Sequence, residues 1–132
     1  MKSLYHIFSA ALVLTALSAS VSFAQTPATK TVKKDGSIVI NTTEIGKEIL
    51  GHHATTPVQI TVKDGKITAV EALPTEETPS FFEMAVVILK KYVGLTPKEA
   101  MEAKIDAVSG ATMSSDALIE NVQAGLKELD KK

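Results

Sequence analysis

The sequence contains no cysteine, no tryptophan and no arginine. Without cysteine there can be no disulfide, no thiolate metal site, no dithiol redox pair and no lipidated N-terminal cysteine. A domain made from this chain must be held by its core alone. If it handles electrons, a cofactor must carry them. Without arginine, all 14 basic residues are lysine, set against 15 acids for a net charge of −1. A nucleic-acid surface rests on a basic surplus rich in arginine, so the composition argues against that class. The lysines read as an ordinary solvated surface.

What is present begins with Met1-Lys2, an apolar run over residues 7–17 and small residues ending in Ser22-Phe23-Ala24. These are the three regions of a secretory signal peptide. A spanning helix needs about 20 apolar residues, and this run is shorter and broken by Ser9, Thr15 and Ser18. A retained membrane anchor is the alternative reading. Cleavage is expected after Ala24, with Ala19 the second choice. The expected organisation is a signal peptide over 1–24, an N-terminal lead-in over 25–36 and one domain over 37–132. Lys2 is the only charged side chain removed, so the remainder is one unit more negative than the whole chain. The expected location is periplasmic or otherwise extracytoplasmic.

Residues 30–34 and 37–41 flank Asp35-Gly36, and Ser37-Ile38-Val39-Ile40 is β-branched, which predicts a strand and a tight hairpin. Residues 43–50 predict a short helix capped by Thr42 or Thr43. In residues 58–70, Val58, Ile60 and Val62 alternate with Gln59, Thr61 and Lys63, Asp64-Gly65 turns the chain, and Ile67 and Val70 continue the apolar set. Alternation with a two-residue Asp-Gly turn predicts a second hairpin. Phe81, Met84, Ala85, Ile88 and Leu89 recur at helical spacing, predicting a helix over 80–92 stopped by Gly94. Thr96-Pro97-Lys98-Glu99 is a capping box with proline at the first helical position. Residues 105–108 are expected to be extended. A last helix is predicted over 114–129, with Ala117, Leu118, Val122, Leu126 and Leu129 inward. Strands followed by helices predict an α+β fold: a small antiparallel sheet with helices packed on one face.

Core, turns and caps account for most of the chain, but not for residues 106–115. There a β-like stretch meets small residues, then hydroxyl residues, then a helix. Small residues let a ligand approach the backbone closely. A helix start offers unpaired N–H groups and positive dipole character, which suit a phosphate. The plainer reading of the same residues is a tight turn, with Ser114 or Ser115 as N-cap and Gly110 at positive φ.

Asp106-Ala107-Val108-Ser109-Gly110-Ala111-Thr112 resembles the flavinylation motif of the FMN-binding domain family. That family includes covalent-flavin subunits of sodium-pumping and related membrane electron-transport complexes, and many small exported proteins. The hairpin at 58–70 is similar to the family's central hairpin. Glu77-Thr78-Pro79 is similar to its Glu-Thr-Pro segment, which lies beside the isoalloxazine ring. The resemblance runs over about 49–122. It implies that Thr112 carries FMN through a phosphoester bond made by a flavin transferase outside the cytoplasm, from FAD and with a divalent metal. Thr112 is then an acceptor rather than a catalytic residue, and no residue here is expected to be catalytic. Ser109, Gly110 and Ala111 would shape the loop, with the phosphodiester near the N–H groups of Ser114 and Ser115. Asp106 would orient the loop, help hold the transferase's metal, or simply stabilise the turn. Phe81 and Tyr92 are candidates to stack on the ring.

The chain departs from the family pattern at two places. Ser80-Phe81-Phe82 follows Glu-Thr-Pro where glycine is common, and His52-His53-Ala54-Thr55 stands where glycines often precede the hairpin. Adjacent histidines invite a metal-site reading, but neighbouring positions rarely face one ion, and only Glu48 lies near in sequence. A loop near the flavin is expected there, and no metal site. The function implied is an extracytoplasmic electron-transfer module, passing electrons from a membrane-bound donor to an exported reductase and meeting the membrane only through partners. The alternatives are a minimal flavin-dependent reductase with its own small substrate, or a non-redox exported binding domain.

Overall fold

The alternating residues of the central hairpin set the architecture. In the computed structural model, which describes residues 28–131, they form strands β3 (Val58–Lys63) and β4 (Lys66–Ala72). Strands β1 (Lys30–Val32) and β2 (Ile38–Asn41) precede them, and the four pair antiparallel in the order β1-β2-β3-β4. The sheet thus takes in residues 30–32 of the segment read as lead-in. The expected signal peptide falls outside the described residues.

Lys63 pairs with Lys66 across Asp64-Gly65, whose φ values of 51° and 77° are the left-handed pair that a two-residue hairpin turn demands. The first hairpin is wider than the expected tight turn, with residues 33–37 forming its loop. The Asp35 carboxylate ties the far side of that loop by accepting from the Ser37 N–H at 2.9 Å and the Ser37 hydroxyl at 2.6 Å. A bulge also corrects the register of β4. Val62 pairs with Ile67 and Ile60 with Val70, leaving Thr68 as the extra residue. Ile67 and Val70 are three apart and would face opposite ways in a regular strand; the bulge puts both on the core face.

Helix α1 (Pro79–Ala85), a 3₁₀ segment (Val86–Tyr92), helix α2 (Pro97–Glu102) and helix α3 (Thr112–Lys127) complete the fold, followed by a 3₁₀ turn (Glu128–Asp130). They pack against the face carrying Ile40, Val58, Ile60 and Val62, so the protein is a small α+β domain. Ile88, Leu89 and Tyr92 enter the core from one side and Leu118, Val122 and Leu126 from α3. Gly125 lets α3 lie close to the sheet: a Cβ there would sit 2.7 Å from Ile60 Cδ1 and 3.0 Å from Thr42 Cγ2. The capping box forms as expected, with the Glu99 N–H donating to Thr96 Oγ1 at 3.1 Å and the Thr96 N–H to Glu99 Oε1 at 2.9 Å.

Two helix expectations fail. The helix expected over 43–50 is absent: residues 43–48 form successive turns, and Leu50 makes an isolated bridge with Thr55. The Thr43 N–H and hydroxyl donate to Asn41 Oδ1, and a single i→i−4 bond (Gly46 N–H to the Thr42 carbonyl, 2.7 Å) gives way to an i→i−3 bond at Ile49. Side-chain competition at the start, together with a glycine, defeats so short a nucleus. The helix expected over 80–92 is α-helical only to Ala85, and the β-branched run Val86-Val87-Ile88 continues as the tighter 3₁₀ form.

Candidate functional site

Residues 105–108 have no strand partner, and their extended course delivers the chain to the start of α3. The turn is made at Ser109-Gly110. Gly110 has φ 89°, a conformation that L side chains rarely adopt, and Met84 Cε lies 3.3 Å from where its Cβ would be. Ala111 is the N-cap and is buried; Thr112 is the first helical residue and is exposed.

The expected serine cap does not form. Helix α3 begins two residues earlier than expected, and both serines are buried in its first turn. The Ser115 hydroxyl donates back to the Ala111 carbonyl at 2.7 Å and accepts from the Val108 N–H at 3.0 Å, which staples the motif loop to the helix. The Ser115 N–H makes the first intrahelical bond, to the Ala111 carbonyl at 2.9 Å. It is therefore not free for a phosphate. The N–H groups left without a helical partner are those of Thr112, Met113 and Ser114.

A cavity of about 280 Å³ opens beside this turn. Residues 110–114 line one side, and His52 and Phe81 line the other. The two rings lie against each other with centroids 4.7 Å apart and planes inclined at 48°. His52 and Phe81, each from a segment where the chain departs from the family pattern, thus meet as one wall of the cavity. Met113, the residue after the motif and one the sequence reading did not single out, lines the cavity with 57% of its surface exposed.

Glu77 is part of the site's frame rather than of the cavity surface. Its residue is only 4% exposed, yet its carboxylate accepts four hydrogen bonds. Oε2 accepts from the His52 N–H at 3.1 Å and from the Ser114 hydroxyl. Oε1 accepts from the His53 N–H and from the Ala54 N–H at 2.6 Å. Burial pushes this carboxyl up, but the bonds from Ser114, Ala54, His53 and His52 together outweigh it and hold the group below its ordinary value. Thr78 and Pro79 form the N-cap and first residue of α1 and do not line the cavity.

Of the other expected site residues, Asp106 and Ser109 are exposed on the approach to the turn, outside the cavity lining. Tyr92 is withdrawn from the site. It is 1% exposed in the hydrophobic core, where its length fills the space between the 3₁₀ segment and the sheet. Phe81 is the aromatic residue that reaches the cavity. Among the described residues, no group of three histidine and acidic side chains is placed to hold a metal ion.

The sequence model of a family described as FMN-binding domain matches residues 51–127. The chain belongs to the FMN-binding domain family. It is a flavin-binding protein, and the matched span takes in the hairpin, Glu77, α1 and the whole motif turn. No curated protein and no solved structure matches it. The residues of this FMN-binding domain suit the cofactor chemically. A cavity with an aromatic wall offers a face to a flat ring, and a helix start with three N–H groups free of helical partners offers donors to a phosphate. At about 280 Å³ the cavity lies just under the roughly 300–1,000 Å³ usual for small-ligand sites, so it suits one part of the cofactor rather than all of it.

Proposed function

We propose that this FMN-binding domain carries FMN covalently on Thr112 and works outside the cytoplasm as an electron-transfer module. The observation that carries the reading is the position of Thr112: exposed, first in helix α3, on the cavity lining and directly after the positive-φ turn at Gly110. A hydroxyl there is open to a second protein. In the attachment step the Thr112 Oγ1–phosphorus bond forms and the phosphoanhydride bond of FAD breaks, releasing AMP. The threonine proton passes to a base of the flavin transferase, since a neutral threonine is a weak nucleophile. Thr112 is a substrate in that step, with Asp106 and Ser109 exposed where a transferase and its metal could reach them.

Bound flavin supplies one- and two-electron chemistry, while the protein supplies orientation and electrostatics. Phe81 and His52 would wall the ring, and the N–H groups of Thr112, Met113 and Ser114 would face the phosphodiester. A carrier is favoured over a reductase with its own substrate because, among the described residues, His52 is the one titratable side chain lining the cavity. Covalent attachment also suits an exported carrier, since a loosely held cofactor would be lost by diffusion. The signal-like segment 1–24 supports export, with a membrane-bound donor and an exported reductase as partners.

Intact mass tests the reading. Co-expressed with a flavin transferase in an exporting host, the mature protein should begin at Gln25 and gain the mass of FMN less one water. Thr112→Ala should begin at the same residue and gain nothing. An unmodified wild-type mass, with the transferase shown to be competent on another substrate, would reduce the motif to a helix start.

A further inference from the structure

Glu77 is a buried acid whose charge none of the chemistry above uses. Among the described residues it has no lysine partner, and it is neutralised only by hydrogen-bond donors. Burying an unpaired carboxylate is costly unless donors surround it. Here three successive N–H groups, those of residues 52–54, turn inward around it, as backbone donors do around a bound anion. The chain has been shaped to do this. A Cβ on Gly51 would lie 2.7 Å from Glu77 Oε2 and 3.2 Å from Thr56 Cγ2, so only a residue without a side chain lets the loop wrap that closely. A second tie fixes the same neighbours, with the Thr75 hydroxyl donating to the Thr55 carbonyl at 2.6 Å and accepting from the Glu77 N–H at 3.1 Å.

The fourth donor gives the cluster its consequence. Ser114 belongs to the first turn of α3, two residues after Thr112, and lines the cavity. One carboxylate oxygen therefore holds both sides of the cavity at once: the backbone of His52 on one wall and the Ser114 hydroxyl on the other. We propose that Glu77 is the positioning residue of the flavin site, a clamp that fixes the His52–Phe81 wall against the Thr112 turn and so shapes the cavity before any ligand enters. The clamp itself is a property of the unliganded protein. Its importance for attachment rests on the reading of Thr112 given above.

The chemistry of glutamine makes the clamp testable at one amide. In Glu77→Gln the remaining carbonyl oxygen can keep the His53 and Ala54 N–H groups. The new NH₂ then faces the Ser114 oxygen, which can turn to accept, and the His52 N–H, which cannot. The variant should therefore release His52 selectively while leaving the fold closed.

The experiment is amide hydrogen exchange on unflavinylated protein in a Thr112→Ala background, which removes attachment from the measurement. Alongside it run the flavinylation rate and flavin fluorescence of the same Glu77 variants with Thr112 intact. Glu77→Gln should speed exchange at His52 by about tenfold or more, the scale of one lost charge-assisted bond. Exchange in β3 and β4 should rise by less than at His52, because it follows the stability of the whole fold. With Thr112 intact, flavinylation should slow by a similar factor, and any flavin attached should fluoresce more brightly as its wall loosens. Ser114→Ala, which leaves the three backbone donors in place, is the milder second variant: residues 53 and 54 should stay protected while flavinylation still slows. Unchanged exchange at His52 in Glu77→Gln, or faster exchange spread equally over the strands, would overturn the clamp. A freed His52 with an unaltered flavinylation rate and flavin fluorescence would overturn the positioning role. Wild-type protein that takes no flavin would sink the attachment reading alone, because the exchange arm decides the clamp without it.

Discussion

The acid strength of Glu77 gives its hydrogen-bond cluster a signature in pH. The folded carboxyl lies below the 4.5 of an unperturbed glutamate, because four donors outweigh the burial that pushes it up. The unfolded chain therefore takes up the proton first as pH falls. The stabilisation is complete above about 4.5 and drains away as pH drops from there through the folded value. Chemical denaturation between pH 6 and pH 3 should show wild type losing stability over that interval, with Glu77→Gln showing a shallower slope. Equal slopes would mean that Glu77 is not what the acid limb reports. In the sequence Glu77 was visible only through its Glu-Thr-Pro setting, which suggested a residue beside the ring. Its donors come from residues 23 to 37 positions away along the chain, and no local pattern could have named them.

At the scale of elements, the packing of α3 decides how much freedom the fold has. Asn121 sits wholly buried on this helix, with Oδ1 accepting from the Thr42 hydroxyl at 2.9 Å. Its Nδ2 donates to Thr56 Oγ1 at 3.1 Å and to the Ala117 carbonyl at 3.0 Å. The Val58 N–H completes the network by donating to Thr42 Oγ1 at 2.8 Å. This joins α3 to the sheet and to the turns at 43–48, and it leaves no room at Gly46. A Cβ there would collide with Asn121 Oδ1 and lie 2.9 Å from the Thr42 carbonyl. At Gly125 the obstacles are ends of side chains, Ile60 Cδ1 and Thr42 Cγ2, and the gain in helix propensity on replacing glycine offsets about 1 kcal/mol. Gly125→Ala should therefore cost no more than about 1–2 kcal/mol, whereas Gly46→Ala, which must break the network, should cost about 2–3 kcal/mol. Thermal unfolding of the two variants checks the order; a larger loss from Gly125→Ala would contradict it. Residues 43–50 looked helical because their local composition permits it. The Asn41 side chain and the close fit of Gly46 under Asn121 decide otherwise.

For the whole molecule, a core without disulfides has to resist every condition by packing alone, and Tyr92 reports on it. Burial pushes its hydroxyl up to about 12, from an ordinary 10. Below pH 10 the group is protonated whether the chain is folded or not, and its contribution to stability is intact. Between 10 and about 12 the unfolded chain ionises first, and stability is lost as pH rises. The other tyrosine, Tyr5, lies in the expected signal peptide, so a domain beginning at Gln25 has one tyrosine chromophore. Ultraviolet titration of that domain should show no phenolate until near pH 12 or until the protein unfolds. A midpoint at 10 with the fold intact would place Tyr92 outside the core. Both its candidacy as a ring partner and its true position arise from the same residue type, and only the packing separates them.

The sequence by itself determined the elements whose signals are local. Val58, Ile60 and Val62 alternating into Asp64-Gly65 specified the hairpin, because side-chain direction and turn conformation are set within a few residues. Thr96 and Glu99 specified a helix start, because both bonds of a capping box close within one turn. The motif around Thr112 marked the candidate site, and it pointed to the family that the matched span bears out. The tertiary structure decided what depends on residues far apart in the chain. It began α3 at Thr112 and turned Ser115 into a staple for the loop, because the fold supplies partners to both buried hydroxyls: the Val108 N–H and Ala111 carbonyl for Ser115, and Glu77 for Ser114. It sent Tyr92 inward at the end of the 3₁₀ segment, where the core receives it, and placed Phe81 of α1 against His52 at the cavity. It gathered residues 52–54 and Ser114 around Glu77, because a buried carboxylate requires donors and only the folded chain could supply them together.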